Sequence, residues 1–166
     1  MQFLSLDLST KSSGVAVFED TKLIYSCCIT SSSTDLIKRI KVMQEGIKEI
    51  LEKFPNIEKI IVEEVRPENG LANIQTHRAL MWVQGAIAIT IYDFNKKIKI
   101  EYVYPNSWRA SLGIRTGRGI KRESLKVADI KYVKENFGLE VNDDEADAIC
   151  IGYAYITKAN NEINWE

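Results

Sequence analysis

Residues 4–18 read LSLDLSTKSSGVAVF. Two apolar runs that alternate with period two, LSLDL and GVAVF, flank the polar segment STKSS, a pattern typical of two strands joined by a turn. A third run, KLIYSCCIT at residues 22–30, follows directly after the turn residues EDT. The chain is therefore predicted to open with three consecutive strands, the first of which carries an acid, Asp7, within its apolar run.

Further along the chain, apolar side chains recur every three or four residues between positions 35 and 54, which predicts a helix capped by Ser33 or Thr34. EKIIVEEV (58–65) and KIEYVY (99–104) predict two more strands, with a long helix over residues 72–94 between them. A short helical turn starting at Asn106 or Ser107, a helix over 120–137 and a final helix complete the chain. This order predicts one α/β domain over residues 1–166, with a mixed five-stranded sheet and helices on both faces.

Composition indicates an ordinary folded protein, because 45% of its 166 residues are hydrophobic and 27% are charged. The net charge of −1 gives no global sign of nucleic-acid binding. Three cysteines form no disulfide framework and fit a reducing compartment. The start, MQFLSLDLST, lacks the features of a signal peptide, and the most apolar run, residues 79–92, is too short to span a bilayer. We expect a soluble, cytoplasmic protein.

Residues 142–156, NDDEADAICIGYAYI, concentrate four acids at the start of an apolar helix. Asn142 is a good N-cap, and Glu145 would complete a capping box. Acids in the first turn also interact favourably with the helix dipole, which partly explains the presence of Asp143. Asp147 lies beyond the first turn at the edge of the apolar stripe, and Asp144 lies one turn earlier on the same side. Carboxylates at such an edge need a compensating cation. Simple capping and a metal site both remain open on this helix alone.

Two other segments add carboxylates at the ends of apolar strands. Asp7 interrupts LSLDLS, where it is either a turn former or a ligand, and Glu63 and Glu64 end the strand IIVEEV. Because successive strand residues point to opposite faces, one of these two glutamates can share the sheet edge with Asp7. Oxygen ligands from three segments suit Mg²⁺ or Mn²⁺. A single histidine and the absence of a Cys-x-x-Cys motif argue against zinc.

The chain resembles the RuvC-type Holliday junction resolvases, and above all their short phage-encoded members. Three motifs carry the resemblance: LSLDLSTKSSGVAVF, then IVEEV followed by a long helix, then DEADA at the final helix. The resemblance covers nearly the whole chain in order and spacing. It implies the RNase H-like fold, a homodimer, and DNA recombination and repair as the setting, in the host cytoplasm for a phage-encoded member. The family pattern of catalytic, metal-binding acids falls on Asp7, Glu63, Asp144 and Asp147. Asp143 remains a rival to Asp144.

The resemblance implies a two-metal endonuclease acting on Holliday junctions. The departure at Arg66, where some relatives place an aromatic residue, extends the expectation to other branched DNA. Two Mg²⁺ ions per active site, with Mn²⁺ as the alternative, would stabilise the attacking and leaving oxygens. Asp7 would bridge the two ions, Glu63 and Asp147 would complete one shell, and Asp144 the other. The products would carry 5′-phosphate and 3′-hydroxyl ends. No organic cofactor is expected.

Positive charge is concentrated between residues 109 and 126, where six cations stand against one acid. Glycines in GIRTGRGIKR allow backbone amides to approach phosphates closely. A solvated helix face and a flexible loop are the alternative interpretation. The resemblance favours DNA contacts here, because Arg109 and Lys121 fall near family positions that hold basic phosphate contacts. Lys11, in the turn beside Asp7, is a further candidate, and Arg66, three residues after Glu63, could stack on a base. The predicted DNA-binding residues are Lys11, Arg66, Arg109, Arg115, Arg118, Lys121 and Arg122.

The helix over residues 72–94 is apolar nearly all round, with Leu80, Met81, Trp82, Val83, Ile87, Ile89 and Ile91. It is either fully buried in the core or buried on one face and paired with a twin helix on the other. A two-fold dimer would place two active sites on a two-fold junction.

Two rival functions also remain. One is a non-catalytic branched-DNA-binding protein. The other is a nucleotide-phosphate-binding protein of the actin-like ATPase type, because DLSTKSSG resembles the phosphate-binding turn of those proteins.

Overall fold

The computed structural model of the chain describes residues 1–65 and 74–163, with side chains up to residue 159. Its strands are β1 (Gln2–Asp7), β2 (Ser12–Glu19), β3 (Lys22–Thr30), β4 (Ile57–Glu63) and β5 (Lys99–Val103). Its helices are α1 (Leu36–Lys53), α2 (Ile74–Phe94), α3 (Pro105–Ser111), α4 (Arg122–Phe137) and α5 (Asp143–Ile163). Within these described residues, the predicted order of strands and helices is confirmed.

The sheet is mixed and has the strand order β3-β2-β1-β4-β5. The first three strands form an antiparallel meander, because short turns can join only antiparallel neighbours. β4 and β5 each follow a helix and run parallel to β1. The predicted mixed five-stranded sheet is confirmed, and β1, with the acid at its end, is the central strand.

Alternation along β1 creates two separate cores. Leu4 and Leu6 face α1 and α2, whereas Phe3 and Ser5 face the opposite side, where α5 lies across the sheet. α3 and α4 pack on the α5 side through buried residues such as Trp108. Helices therefore cover both faces, as predicted. None of the helices in the described part of the chain is long and apolar enough to cross a membrane.

Helix α2 is buried on one face only. Val83, Ile87 and Ile91 are buried against the sheet and α1, but Ile89 is 60% exposed and Tyr92 62% exposed. The interpretation of this helix as fully buried is therefore wrong. Apolar residues all round cannot reveal which face meets the sheet, since the decision depends on the partner and not on the helix.

Helix starts differ in detail from the sequence predictions. α1 is capped by Asp35, whose side chain accepts from the backbone N–H of Lys38 at 3.0 Å, and not by Ser33 or Thr34. Proline begins α3 one residue earlier than predicted, because its fixed φ suits the first helical turn. α4 begins at Arg122, two residues later than predicted.

Candidate active site

Two of the predicted acids lie at the ends of neighbouring strands. Asp7 ends β1 and Glu63 ends β4, and the parallel register pairs Leu6 with Val62 immediately before them. Alternation sends both acids to the side of the sheet that α5 covers, as Ser5 and Ile61 do. The choice of Glu63 over Glu64 for this face is in keeping with the structure.

The other two acids project from the start of α5. The N-terminal end of α5 lies on β2 at Gly14, which is the cross-strand partner of Asp7. A Cβ atom at Gly14 would overlap the backbone carbonyl of Asp144, so only glycine allows this approach. Further along, Ser5 Oγ donates to the carbonyl oxygen of Ala148 at 2.7 Å. These contacts bring Asp144 and Asp147 to the sheet edge that carries Asp7.

Asn142 caps α5 as predicted, accepting from the backbone N–H of Glu145 at 2.9 Å. The carboxylate of Glu145 does not return to the cap. It accepts instead from Ser26 Oγ at 2.5 Å, while Cys28 Sγ donates to Asn142 Oδ1 at 3.2 Å. The predicted capping box is thus replaced by two contacts with β3, which fix the start of α5 against the sheet.

Asp143 and Asp144 have different surroundings. Asp143 forms an ion pair with Lys126 of α4. Asp144 lines the same cleft as Asp7 and raises the pKa of Asp7, as a nearby negative charge does. The structure therefore places Asp144 with the other acids, whereas Asp143 pairs with Lys126. Helical spacing alone could not decide which of the two joins the cluster, because i,i+3 and i,i+4 both lie on the Asp147 side.

A single cleft of about 770 Å³ contains all four predicted catalytic acids. Burial, then the negative charges of Glu63 and Asp144, raise the pKa of Asp7 to about 8. Burial and the charge of Asp7 raise the pKa of Asp147 to about 10, and burial also raises the pKa of Glu63. The cluster is thus short of positive charge, which is the electrostatic condition that favours cation binding.

The donor set fits hard divalent cations, because every acid offers carboxylate oxygens and Asp147 Oδ1 is buried without a hydrogen-bond partner. Among the described residues, no three acidic, histidine or cysteine side chains already surround one point closely enough to hold a metal. Two of the acids are instead held by donors from α3, described next. Metal binding would therefore require small side-chain movements of Asp7, Glu63, Asp144 or Asp147.

Trp108, on α3, was missed in the sequence. Its indole Nε1 donates to Glu63 Oε2 at 2.7 Å, and this bond opposes the rise in the pKa of Glu63. The backbone carbonyl of Glu63 accepts from the buried amide of Gln84 on α2 at 2.9 Å. Both contacts join residues distant in sequence, so no local pattern could have predicted them.

Arg109, predicted as a DNA contact, lies in the wall of the cleft and is only 7% exposed. It pairs with Asp129 at 2.9 Å and with Asp147 at 3.4 Å. Asp129 is fully buried and was also missed. Its sequence signal was present, since Leu125, Asp129 and Val133 recur every four residues along one side of α4.

The remaining predicted cations are distributed around the cleft. Arg122 lines it, and its positive charge opposes the rise in the pKa of Asp7. Arg66 lies outside the described residues. The others are exposed, in the turn after β1 or between α3 and α4: Lys11, Arg115, Arg118 and Lys121.

No protein-family model matches the chain, and no curated protein matches it in sequence. Solved structures, in contrast, match over almost its whole length. RuvC from T. thermophilus, in complex with a Holliday junction substrate, has a TM-score of 0.74 at 17% identity, covering 97% of this chain and 96% of its own. The fowlpox virus Holliday junction resolvase has a TM-score of 0.58 at 17% identity, covering 95% and 99%. The yeast mitochondrial Holliday junction resolvase Ydc2 has a TM-score of 0.56 at 16% identity, covering 93% and 77%.

These proteins share the fold of this chain at identities too low to transfer an activity. The chain has the RuvC fold, and the predicted RNase H-like fold class is confirmed.

Proposed function

We propose that this protein is a metal-dependent endonuclease that nicks Holliday junctions and other branched DNA, leaving 5′-phosphate and 3′-hydroxyl ends. The observation that carries the proposal is the convergence of Asp7, Glu63, Asp144 and Asp147 from three elements into one cleft of a RuvC fold. An acidic cluster without a role would be a liability, because burying carboxylates costs free energy.

Mg²⁺, or Mn²⁺ in its place, would supply Lewis-acid stabilisation of the attacking and leaving oxygens of the phosphodiester. Asp7, Glu63, Asp144 and Asp147 would hold the ions, and the negative charges of Glu63 and Asp144 both act on Asp7. Trp108 orients Glu63, and the β3 contacts and Gly14 fix the start of α5.

DNA binding is assigned to the cations around the cleft. Arg122 and Arg109 line it and would approach the phosphate that is cut. Lys11, Arg115, Arg118 and Lys121 are exposed and would contact phosphates of the junction arms. Arg66 is proposed as a DNA contact from the sequence alone. A net charge of −1 is compatible with this role because the positive charge is concentrated on one segment.

A homodimer through α2 would provide two active sites for the two strands. The exposed side of α2 is apolar and carries Met81, Trp82, Ile89 and Tyr92 around Gly85. Among the described residues, a Cβ atom at Gly85 would meet nothing within 4 Å, so this glycine has no packing role there. A small residue at the centre of an apolar stripe would let a twin helix approach closely.

The test is incubation of a labelled four-way junction with and without Mg²⁺. Nicking that requires the metal is the expected result. Glu63→Gln should suppress it far more than the matched neighbour variant Glu64→Gln, because Glu63 accepts from Trp108 and its charge acts on Asp7. Glu64 also lines the cleft but is the next residue after β4 ends. Junction binding without any cleavage would instead support a non-catalytic binding protein, and the reverse order of the two glutamine variants would contradict the assigned site.

A further inference from the structure

Asp129 is an acid inside the protein, on the α4 side of the cleft wall. It is fully buried, and its Oδ1 atom has no hydrogen-bond partner. A carboxylate in such a place is costly, the more so beside the carboxyl group of Asp147. Among the described residues, the cation that pairs with Asp129 is the guanidinium of Arg109. Because apolar residues of similar volume commonly give equal or greater stability than a buried ion pair, stability is a poor explanation for this one.

The geometry of Arg109 shows what the pair accomplishes. Asp129 Oδ2 accepts from Nε of Arg109 at 3.0 Å and from Nη2 at 2.9 Å, while the Trp108 ring covers the guanidinium at 4.1 Å. Nη2 also donates to Asp147 Oδ2 at 3.4 Å. Among the described residues, Nη1 makes no hydrogen bond, although Arg109 lines the cleft. One edge and one face of the guanidinium are therefore fixed, and the other edge is available.

We propose that Asp129 is a positioning residue for cleavage: it anchors the inner edge of Arg109, so that the outer edge can meet a phosphate oxygen while Asp147 stays free for the metal. This inference rests on the proposed function. A planar guanidinium suits the task, because it can satisfy an anchor and an oxyanion with separate N–H groups. Without Asp129, the nearest remaining anion for Arg109 is Asp147, and the two would pair more tightly.

Three variants test the proposal: Asp129→Asn, Arg109→Gln and the double variant. Asp129→Asn should lower the single-turnover rate at saturating Mg²⁺ roughly 10- to 100-fold and weaken Mn²⁺ binding, measured by calorimetry without DNA, about 10-fold. In the double variant, Mn²⁺ affinity should return to that of the unmodified protein, because no guanidinium competes for Asp147. Its rate should equal that of Arg109→Gln alone.

Val133→Ala is the control for a purely structural effect, since Val133 is buried one turn further along α4 and lies outside the cleft. It should lower stability and leave Mn²⁺ affinity unchanged. The proposal is overturned if Asp129→Asn matches the unmodified protein in rate and Mn²⁺ affinity, or if the effects of the two single variants multiply in the double variant. An unmodified protein that does not cut in Mg²⁺ would refute the proposed function itself.

A measurement on the unmodified protein decides the matter even where Asp129→Asn fails to fold. The Nε–H resonance of Arg109, assigned by its loss in Arg109→Gln, should stay protected from solvent exchange when a junction and non-catalytic Ca²⁺ are added. Rapid exchange of this proton in the complex would show that Asp129 releases Arg109, and the positioning role would be wrong.

Discussion

Gly14→Ala tests whether the start of α5 is held at the sheet as the structure shows. Gly14 pairs with Asp7 across the β1–β2 ladder, and the backbone of Asp144 lies directly on it. A Cβ atom built at Gly14 would lie 1.8 Å from the carbonyl oxygen of Asp144 and 3.1 Å from the backbone nitrogen of Glu145. These are backbone atoms, so no side-chain rotation can relieve the overlap.

The magnitude follows from the distances. Restoring the separation from 1.8 Å to an ordinary contact of 3.4 Å would move the start of α5 by about 1.6 Å relative to Asp7. Overpacking of this kind costs about 1–3 kcal/mol, against a typical stability of about 5–15 kcal/mol, so the variant should remain folded. A misplacement of about 1 Å in a catalytic constellation can cost about 100-fold in rate, and the shift displaces Asp144 and Asp147 together.

The assay compares single-turnover nicking of a four-way junction in Mg²⁺ with junction binding in Ca²⁺. Gly14→Ala should cut at least about 100-fold more slowly, with affinity nearly unchanged, because the exposed cations assigned to DNA binding, other than Lys11, lie between α3 and α4. Gly46→Ala is the matched control, since its Cβ would press only on the Ile29 side chain, at 2.8 Å, on the α1 side of the sheet. Near-normal cutting by Gly14→Ala would refute the close approach of α5 to β2 as the basis of the site.

Trp108→Phe removes the indole N–H that Glu63 accepts and should slow nicking about 10- to 100-fold, with junction affinity in Ca²⁺ unchanged. Gly85→Glu places a charge where the described residues leave nothing within 4 Å, so light scattering should show a folded monomer, in contrast to the dimer proposed for the unmodified protein. Replacing Lys121 and Arg122 with Ala should flatten the log–log salt dependence of junction binding by about 0.9 per lost phosphate contact. Burial gives Asp7 and Asp147 higher pKa values in the folded state than in the unfolded chain, so the folded protein holds more protons between them. The metal-free unfolding temperature should therefore fall as the pH rises from about 5 to about 8, and the stabilisation by Mg²⁺, which favours the ionised acids, should grow over the same range.

The sheet and its carboxylates were predictable because period-two alternation is a local property. It correctly assigned the strand order along the chain and sent Asp7 and one glutamate of the IVEEV run to a common face. The resemblance supplied the choice of Glu63 and the pair on α5, whose acids line the cleft as expected.

Contacts between distant segments could not be predicted in the same way. Trp108 reaches Glu63 only because β5 places α3 beside the end of β4, and a sequence pattern does not contain that distance. The choice between Asp143 and Asp144 depended on Lys126, a residue of another helix. The exposed face of α2 was equally undecidable, since a uniformly apolar helix does not show which side its own sheet covers.

The burial of Arg109 was not evident from the sequence. Its place in a basic stretch and the resemblance predicted a DNA phosphate contact, and in the fold two carboxylates and an indole ring hold it in the cleft wall. Charge counts along a segment do not distinguish a solvated cation from one that neutralises an interior acid. Only the recurrence of Leu125, Asp129 and Val133 on one side of α4 indicated such an acid.

The central claim is that a carboxylate cluster around Asp7 cuts branched DNA. The most direct measurement compares the unmodified protein and Asp7→Asn on a labelled four-way junction and on a linear duplex of the same sequence, in Mg²⁺. We expect paired nicks near the crossover by the unmodified protein, with 5′-phosphate ends and little cutting of the duplex. Asp7→Asn should make no nicks and should still bind the junction. Cutting by Asp7→Asn at the rate of the unmodified protein, or no cutting by the unmodified protein in either Mg²⁺ or Mn²⁺, would contradict the central claim.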